Sequence, residues 1–148
     1  MNLKQLIDLI ESKNEAVGID INQPALTTDI FEFEKQIGFQ LPKEFKDFYL
    51  ICNGFGCNED IFNMTPLQDI TRHKQDYGKN WFYFSEYMIY SDMWGVRIAS
   101  DGKYEIFNGS YPSKTMTTSL IEFLTRFLKG NVFEKGGLYD WQEELGIK

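Results

Sequence analysis

Two helix patterns pressed together between Asp29 and Gly56, DIFEFEKQIGFQLPKEFKDFYLICNGFG, limit what this chain can fold into more than any other stretch. Ile30, Phe33 and Ile37 recur at helical spacing among Glu32, Glu34, Lys35 and Gln36, which predicts one apolar stripe on a charged helix. Thr28 or Asp29 is the expected N-cap. Gly38 stands where a left-handed residue closes the helix, with Phe39 placed to fold back over the last turn. Pro42 forces Leu41 extended and opens a second helix, where its missing N–H costs nothing. Phe45, Phe48, Tyr49 and Cys52 form the apolar face of that helix, and Asn53-Gly54 with Gly56 ends it. Two short amphipathic helices on a tight link are not stable alone, so they require a larger surface to bury against.

The middle of the chain supplies that surface. Trp81 to Tyr90, WFYFSEYMIY, is too rich in aromatic and β-branched residues for a helix and predicts one strand, or two with a kink near Ser85-Glu86. Trp94 to Asn108 reads as a hairpin turning at Asp101-Gly102, a pair that accepts the positive φ angles of a type I′ turn. Val17, Ile19 and Ile21 alternate enough for a short extended segment in a stretch that is otherwise loop, and Phe55 to Met64 suggests a loop entering a short strand. Thr65-Pro66 opens a brief helix with Leu67 and Ile70 inward. At the ends, Leu3, Leu6, Ile7 and Ile10 define a first helix, and Ser119-Leu120-Ile121-Glu122 is a capping box before Phe123, Leu124, Phe127 and Leu128. Leu138, Trp141 and Leu145 line a last short helix. Helices thus bracket a block of strands, an α+β fold in one domain over residues 1–148, its central antiparallel sheet covered on one side by N- and C-terminal helices.

Composition narrows the partner. With 22 acidic and 15 basic side chains the net charge is −7, and no Lys/Arg cluster exists to release counterions from a phosphate backbone, so direct nucleic-acid binding is excluded and a basic partner favoured. Aromatic residues reach 16%, more than a domain of this size hides easily, which points to Tyr and Trp at a binding surface as well as in the core. Cys52 continues an apolar stripe and reads as a buried packing residue, while Cys57 sits in the glycine-rich exit; neither belongs to a disulfide framework or a zinc pattern. No stretch approaches the length of a membrane span and the N-terminus lacks a signal-type apolar run, so the expected location is the cytoplasm.

Catalytic chemistry finds little to stand on. His73 is the single histidine, read as a solvated helix-face residue, and no nucleophile elbow, Walker loop or dinucleotide fingerprint occurs. Gly54-x-Gly56 follows a helix, where a phosphate cradle would follow a strand. Glu59, Asp60, Asp69, Asp76, Glu86, Asp92 and Asp101 are carboxylates able to meet in space, and a pair of them would serve a small hydrolase or ligand-binding domain. Glu59-Asp60 stands out for its place in the exit loop.

The Gly-x-x-Leu-Pro link at Gly38 to Pro42, the Pro-x-x-Phe-x-x-Phe-Tyr helix at Pro42 to Tyr49 and the Asn53-Gly54 end resemble the SUKH superfamily. So do Gly102-Lys103-Tyr104, the Ser-Leu-x-Glu-Phe-Leu run at Ser119 to Leu124, and the Gly-Leu-Tyr-x-Trp tail at Gly137 to Trp141. This resemblance implies a non-catalytic, cofactor-free domain that neutralises a secreted polymorphic toxin of the LXG type, commonly a nuclease, inside the producing bacterium. Some eukaryotic relatives resemble regulators of cell-wall assembly, which leaves a regulatory interaction domain of the same fold as the other reading. For the immunity role, the partner-binding candidates are Glu59 and Asp60 in the exit loop, with Asp92 and Trp94 at the strand junction before the hairpin.

Overall fold

In a computed structural model of the protein, which describes residues 1–58 and 61–147, six strands pair strictly in chain order into one antiparallel sheet. They are β1 (Ile19–Ile21), β2 (Phe55–Cys57), β3 (Phe62–Met64), β4 (Trp81–Tyr87), β5 (Asp92–Ile98) and β6 (Tyr104–Asn108). Around them lie α1 (Leu3–Asn14), α2 (Thr27–Ile37), α3 (Lys43–Ile51), α4 (Leu67–Ile70), α5 (Leu120–Gly130) and α6 (Leu138–Glu144), the α+β arrangement expected from the sequence.

The two organising helices close as their punctuation requires. Gly38 is left-handed and donates its N–H to Glu34 O at 2.9 Å. The Glu34 carboxylate then accepts the N–H of Leu41 at 2.7 Å and lies 3.4 Å from Lys46 Nζ, so one side chain of α2 holds both the link and the start of α3. The N-cap of α2 is Leu26 and not Thr28 or Asp29: the Asp29 carboxylate reaches back to the Leu26 N–H at 2.8 Å, doing from inside the helix what a capping side chain does from outside. Cys52 caps α3 with its N–H on Phe48 O at 3.0 Å, and Asn53 next to it accepts the Leu67 N–H at 2.9 Å, which starts α4. Gly54 is forced, since a Cβ there would stand 2.2 Å from Met64 O.

Phe33 of α2, Phe45 of α3 and Phe123 and Phe127 of α5 press their rings on Phe82, Phe84, Phe55 and Phe62 of the sheet, the closest pair being Phe62 and Phe127 with centroids 4.4 Å apart. Phe39 stacks on Phe82 as well. Leu120, Phe123, Leu124 and Phe127 are fully buried along one face of α5, each worth roughly 1.5–3 kcal/mol. Behind this layer α1 packs on α3 and α5. The aromatic excess of the sequence is therefore mainly core, and Cys52, fully buried beside Tyr49, belongs to it.

Four local expectations change. Residues 55–64 supply two strands, β2 and β3. The β5–β6 turn is not type I′: Gly102 alone has positive φ (85°), its N–H bonds Ala99 O at 3.0 Å, and the Ala99 N–H bonds Lys103 O at 2.8 Å. That is a type I turn closed by a left-handed glycine, in which the Asp101 carboxylate satisfies the Lys103 N–H at 3.0 Å. At α5 only half the capping box forms, because Ser119 Oγ accepts the Glu122 N–H at 3.1 Å while the Glu122 carboxylate accepts from Thr117. On α6 Leu145 is 45% exposed and Gln142 takes the inward place, for a reason that lies in the polar network described next. No helix among the described residues is long and apolar enough to cross a membrane.

Candidate partner-binding surface

The sheet has two ends. At one, the β5–β6 turn borders a hollow lined by Lys43, Arg97 and Lys103 together with Glu44, Asp101 and Glu105, a mixed field with no net preference. The other end carries the tips of the β2–β3 and β4–β5 hairpins, tied by the Met88 N–H to Ile61 O bond at 3.0 Å.

At this second end β4 stops at Tyr87, and the residues expected to continue it form the turn. Met88, Ile89 and Tyr90 have φ of 55°, 51° and 69°, and Ile61 on the adjoining tip has 52°. Four non-glycine residues in the left-handed region, two of them β-branched, are steric outliers that cost about 1–2 kcal/mol each. Their side chains gain little in return: Ile89 is 76% exposed, and Ile61, Met88 and Tyr90 are exposed too. Strained backbone that displays apolar side chains to water is characteristic of recognition surfaces.

A hollow lies on each side of this tip. On the face of the sheet turned away from the helices, Asp20, Gly56, Asn63 and Glu86 follow one another across β1 to β4, and a cavity of about 290 Å³ includes them with Asp69 and Tyr90. Glu86 Oε1 accepts from Asn63 Nδ2 at 2.9 Å, while Oε2 is sealed from solvent without a partner among the described residues. Burial raises the proton affinity of Glu86, and Asp76 and Asp69 raise it further. His73, expected on a solvated helix face, is instead half-buried after α4, its ring edge-on to Tyr90 at 6.1 Å.

The second hollow is a cleft of about 590 Å³ between the β4–β5 hairpin and α6. Trp94 Nε1 donates to Gln142 Oε1 at 2.7 Å, Asn108 Nδ2 donates to the same oxygen at 3.4 Å and to Asp92 Oδ1 at 3.0 Å, and Tyr139 Oη donates to Asp92 Oδ2 at 2.6 Å. An indole N–H buried under a helix needs an acceptor, which is why α6 turns Gln142 inward and leaves Leu145 at the surface.

Asp92 lines the cleft, half-buried, with its carboxylate held by Tyr139, Asn108 and the Met93 N–H. Trp94, expected as an exposed anchor, is fully buried among Phe62, Phe123 and Tyr139. It shares the helix-covered face with Asp92 because the two lie two residues apart on one strand. Trp94 therefore holds Gln142 from within the core. Glu59 and Asp60 lie outside the described residues. Sequence reasoning missed the tip, since Met88-Ile89-Tyr90 has the composition of a strand and none of the Gly, Asn or Asp that marks a turn. It also missed Tyr139 and Gln142, for which the Gly-Leu-Tyr-x-Trp run was the available signal.

Neither hollow beside the tip has a Lys or Arg among its described lining residues, and Arg72 stands just outside the sheet-face hollow, paired with its Asp69 at 2.9 Å. Among the described residues no group of His, Cys, Asp and Glu is disposed to hold a metal ion. No curated protein matches the chain. The family model of SMI1 / KNR4 (SUKH-1) matches residues 24–126, which takes in both organising helices, the strands from β2 to β6 and the first part of α5. The chain belongs to the SMI1 / KNR4 family (SUKH-1).

Proposed function

We propose that this protein is an immunity protein that binds a cognate secreted toxin, a basic nuclease domain, and blocks its active site stoichiometrically in the cytoplasm of the producing cell. The family is known for immunity-like proteins. The observation that carries the finer reading is the pairing of an exposed apolar tip with two carboxylate-lined hollows free of Lys and Arg among their described residues. A nuclease that handles phosphates presents a basic cleft, and carboxylates set around an apolar anchor complement it in charge and in shape. The net charge of −7 adds steering at long range. No catalytic step is required of the inhibitor, whose role is complete once the cleft is covered.

Co-expression with the toxin domain of the neighbouring gene, followed by calorimetry of the purified pair, tests this. Native protein is expected to protect and to bind one to one. Ile89→Arg places a cation at the centre of the tip on an exposed side chain that keeps its Cβ, so the backbone strain is the same in both proteins, and is expected to weaken binding at least tenfold. A toxin that kills equally with and without the native protein, and gives no heat on mixing, removes the immunity role. Unchanged binding by Ile89→Arg places the interface elsewhere.

A further inference from the structure

We infer that the cleft between the β4–β5 hairpin and α6 receives a cationic side chain of the partner, an arginine presented on an extended segment; this rests on the immunity reading.

Tyr87, Tyr111 and Tyr139 contribute to the walls of the cleft, and Asp92 and Glu143 are its only charged residues among those described. Aromatic faces attract cations through their quadrupole, and a carboxylate beside them gives the charge a direct acceptor. Asp92 is prepared for this. Its Oδ1 is taken by Asn108 Nδ2 and the Met93 N–H, both at 3.0 Å, whereas Oδ2 accepts, among the described residues, from Tyr139 and retains acceptor capacity. The network behind it is rigid, because Trp94, Asn108 and Gln142 are all at or below 5% exposure.

Gln142 adds a second requirement. An indole nitrogen only donates, so the group facing Trp94 Nε1 must be the amide oxygen, and Gln142 Nε2 is turned away from it. That Nε2 donates to no described residue and is not sealed from solvent, and Gln142 lines the cleft, so the amide offers a donor to a ligand that enters. A guanidinium has no acceptor to meet it. A peptide carbonyl does. The complement of the cleft is thus one residue that offers a cation to Asp92 and Glu143 and its own carbonyl to Gln142. An arginine fits better than a lysine because its planar head stacks on tyrosine rings and forks onto a carboxylate.

The test uses the full chain, isotope-labelled, titrated with N-acetyl-arginine amide and, separately, with N-acetyl-citrulline amide, which has the same shape without the charge. Saturable shifts of the Trp94 indole and Gln142 side-chain amide signals with the arginine probe, at least tenfold weaker with citrulline, are expected. Glu143→Gln, on the outer turn of α6, is expected to weaken the arginine response, and Asp92→Asn, which preserves size, to abolish it. Equal responses to both probes, or none to either, overturn the inference. So does an undiminished arginine response in a folded Asp92→Asn protein. Calorimetry with the toxin separates the two claims: a protein that neutralises its toxin and ignores the arginine probe loses the cleft and keeps the immunity role. One that takes the probe and binds no toxin upholds the cleft and loses that role.

Discussion

Replacing Ile89 with glycine and, separately, with alanine separates the cost of the hairpin tip from its use. At an ordinary position the alanine protein is the more stable, by about 0.4–1 kcal/mol, because glycine frees the unfolded chain. Ile89 has φ of 51°, where a Cβ costs about 1–2 kcal/mol and glycine nothing. The sign therefore reverses, and the glycine protein is expected to be more stable than the alanine protein by roughly 0.8 kcal/mol, the difference between the middles of those two ranges. Side-chain burial cancels from the comparison, since both variants remove the isoleucine beyond Cβ. In a domain of this length that is a shift of about 1–4 °C in Tm, with a parallel change in the denaturant midpoint. Both variants lose the exposed side chain, so both are expected to bind the partner more weakly and to nearly the same degree. An alanine protein as stable as the glycine protein, or more so, means that the left-handed turn is not the backbone of the tip in solution, and the strain argument falls with it.

Trp94→Phe removes the donor that holds Gln142 and part of a fully buried ring, and chemical unfolding is expected to show a loss of about 2–4 kcal/mol; a loss below about 0.5 kcal/mol returns Trp94 to the surface role first expected of it. Burial pushes the Cys52 thiol up to about 12, so the thiol resists labelling in the native protein at pH 8. Its folded value exceeds its unfolded one, hence the contribution of Cys52 to stability is complete below about pH 9 and falls as pH rises toward about 12. Urea midpoints for native and Cys52→Ala proteins that keep a constant difference from pH 8 to pH 11 contradict this. Glu59→Lys with Asp60→Lys is expected to slow association with the toxin and to flatten its dependence on salt, read by stopped flow between 0.05 and 0.5 M, a range over which screening lengths shorten from roughly 14 to 4 Å. An unchanged association rate removes both residues from the interface.

Local physics made much of this protein readable from its sequence. The stripe of α2, the glycine that closes it, the proline before α3 and the Ser119 cap of α5 are each decided within a turn or two of chain, by side-chain spacing and the needs of unsatisfied backbone groups. The β5–β6 hairpin followed as well, since a short connection between successive apolar runs leaves antiparallel neighbours as the simplest pairing, whereas the order of the other strands, joined through helices, did not. Burial, by contrast, depends on which face a residue takes in a register set by distant partners. Asp92 and Trp94 look like exposed junction residues in the sequence, and only the pairing of β5 with β6 and the arrival of α6 turn both toward the helices. Leu145 and Gln142 exchange places for the same reason: a hydrophobic pattern cannot register a buried indole N–H contributed from another element. The tip went unread because Met88, Ile89 and Tyr90 are strand formers held in a left-handed turn, against local preference, by the rest of the sheet. Sequence thus determined the elements and their caps, where interactions are local. Tertiary structure alone decided which carboxylates and aromatic rings share a surface, because that depends on contacts between residues far apart in the chain.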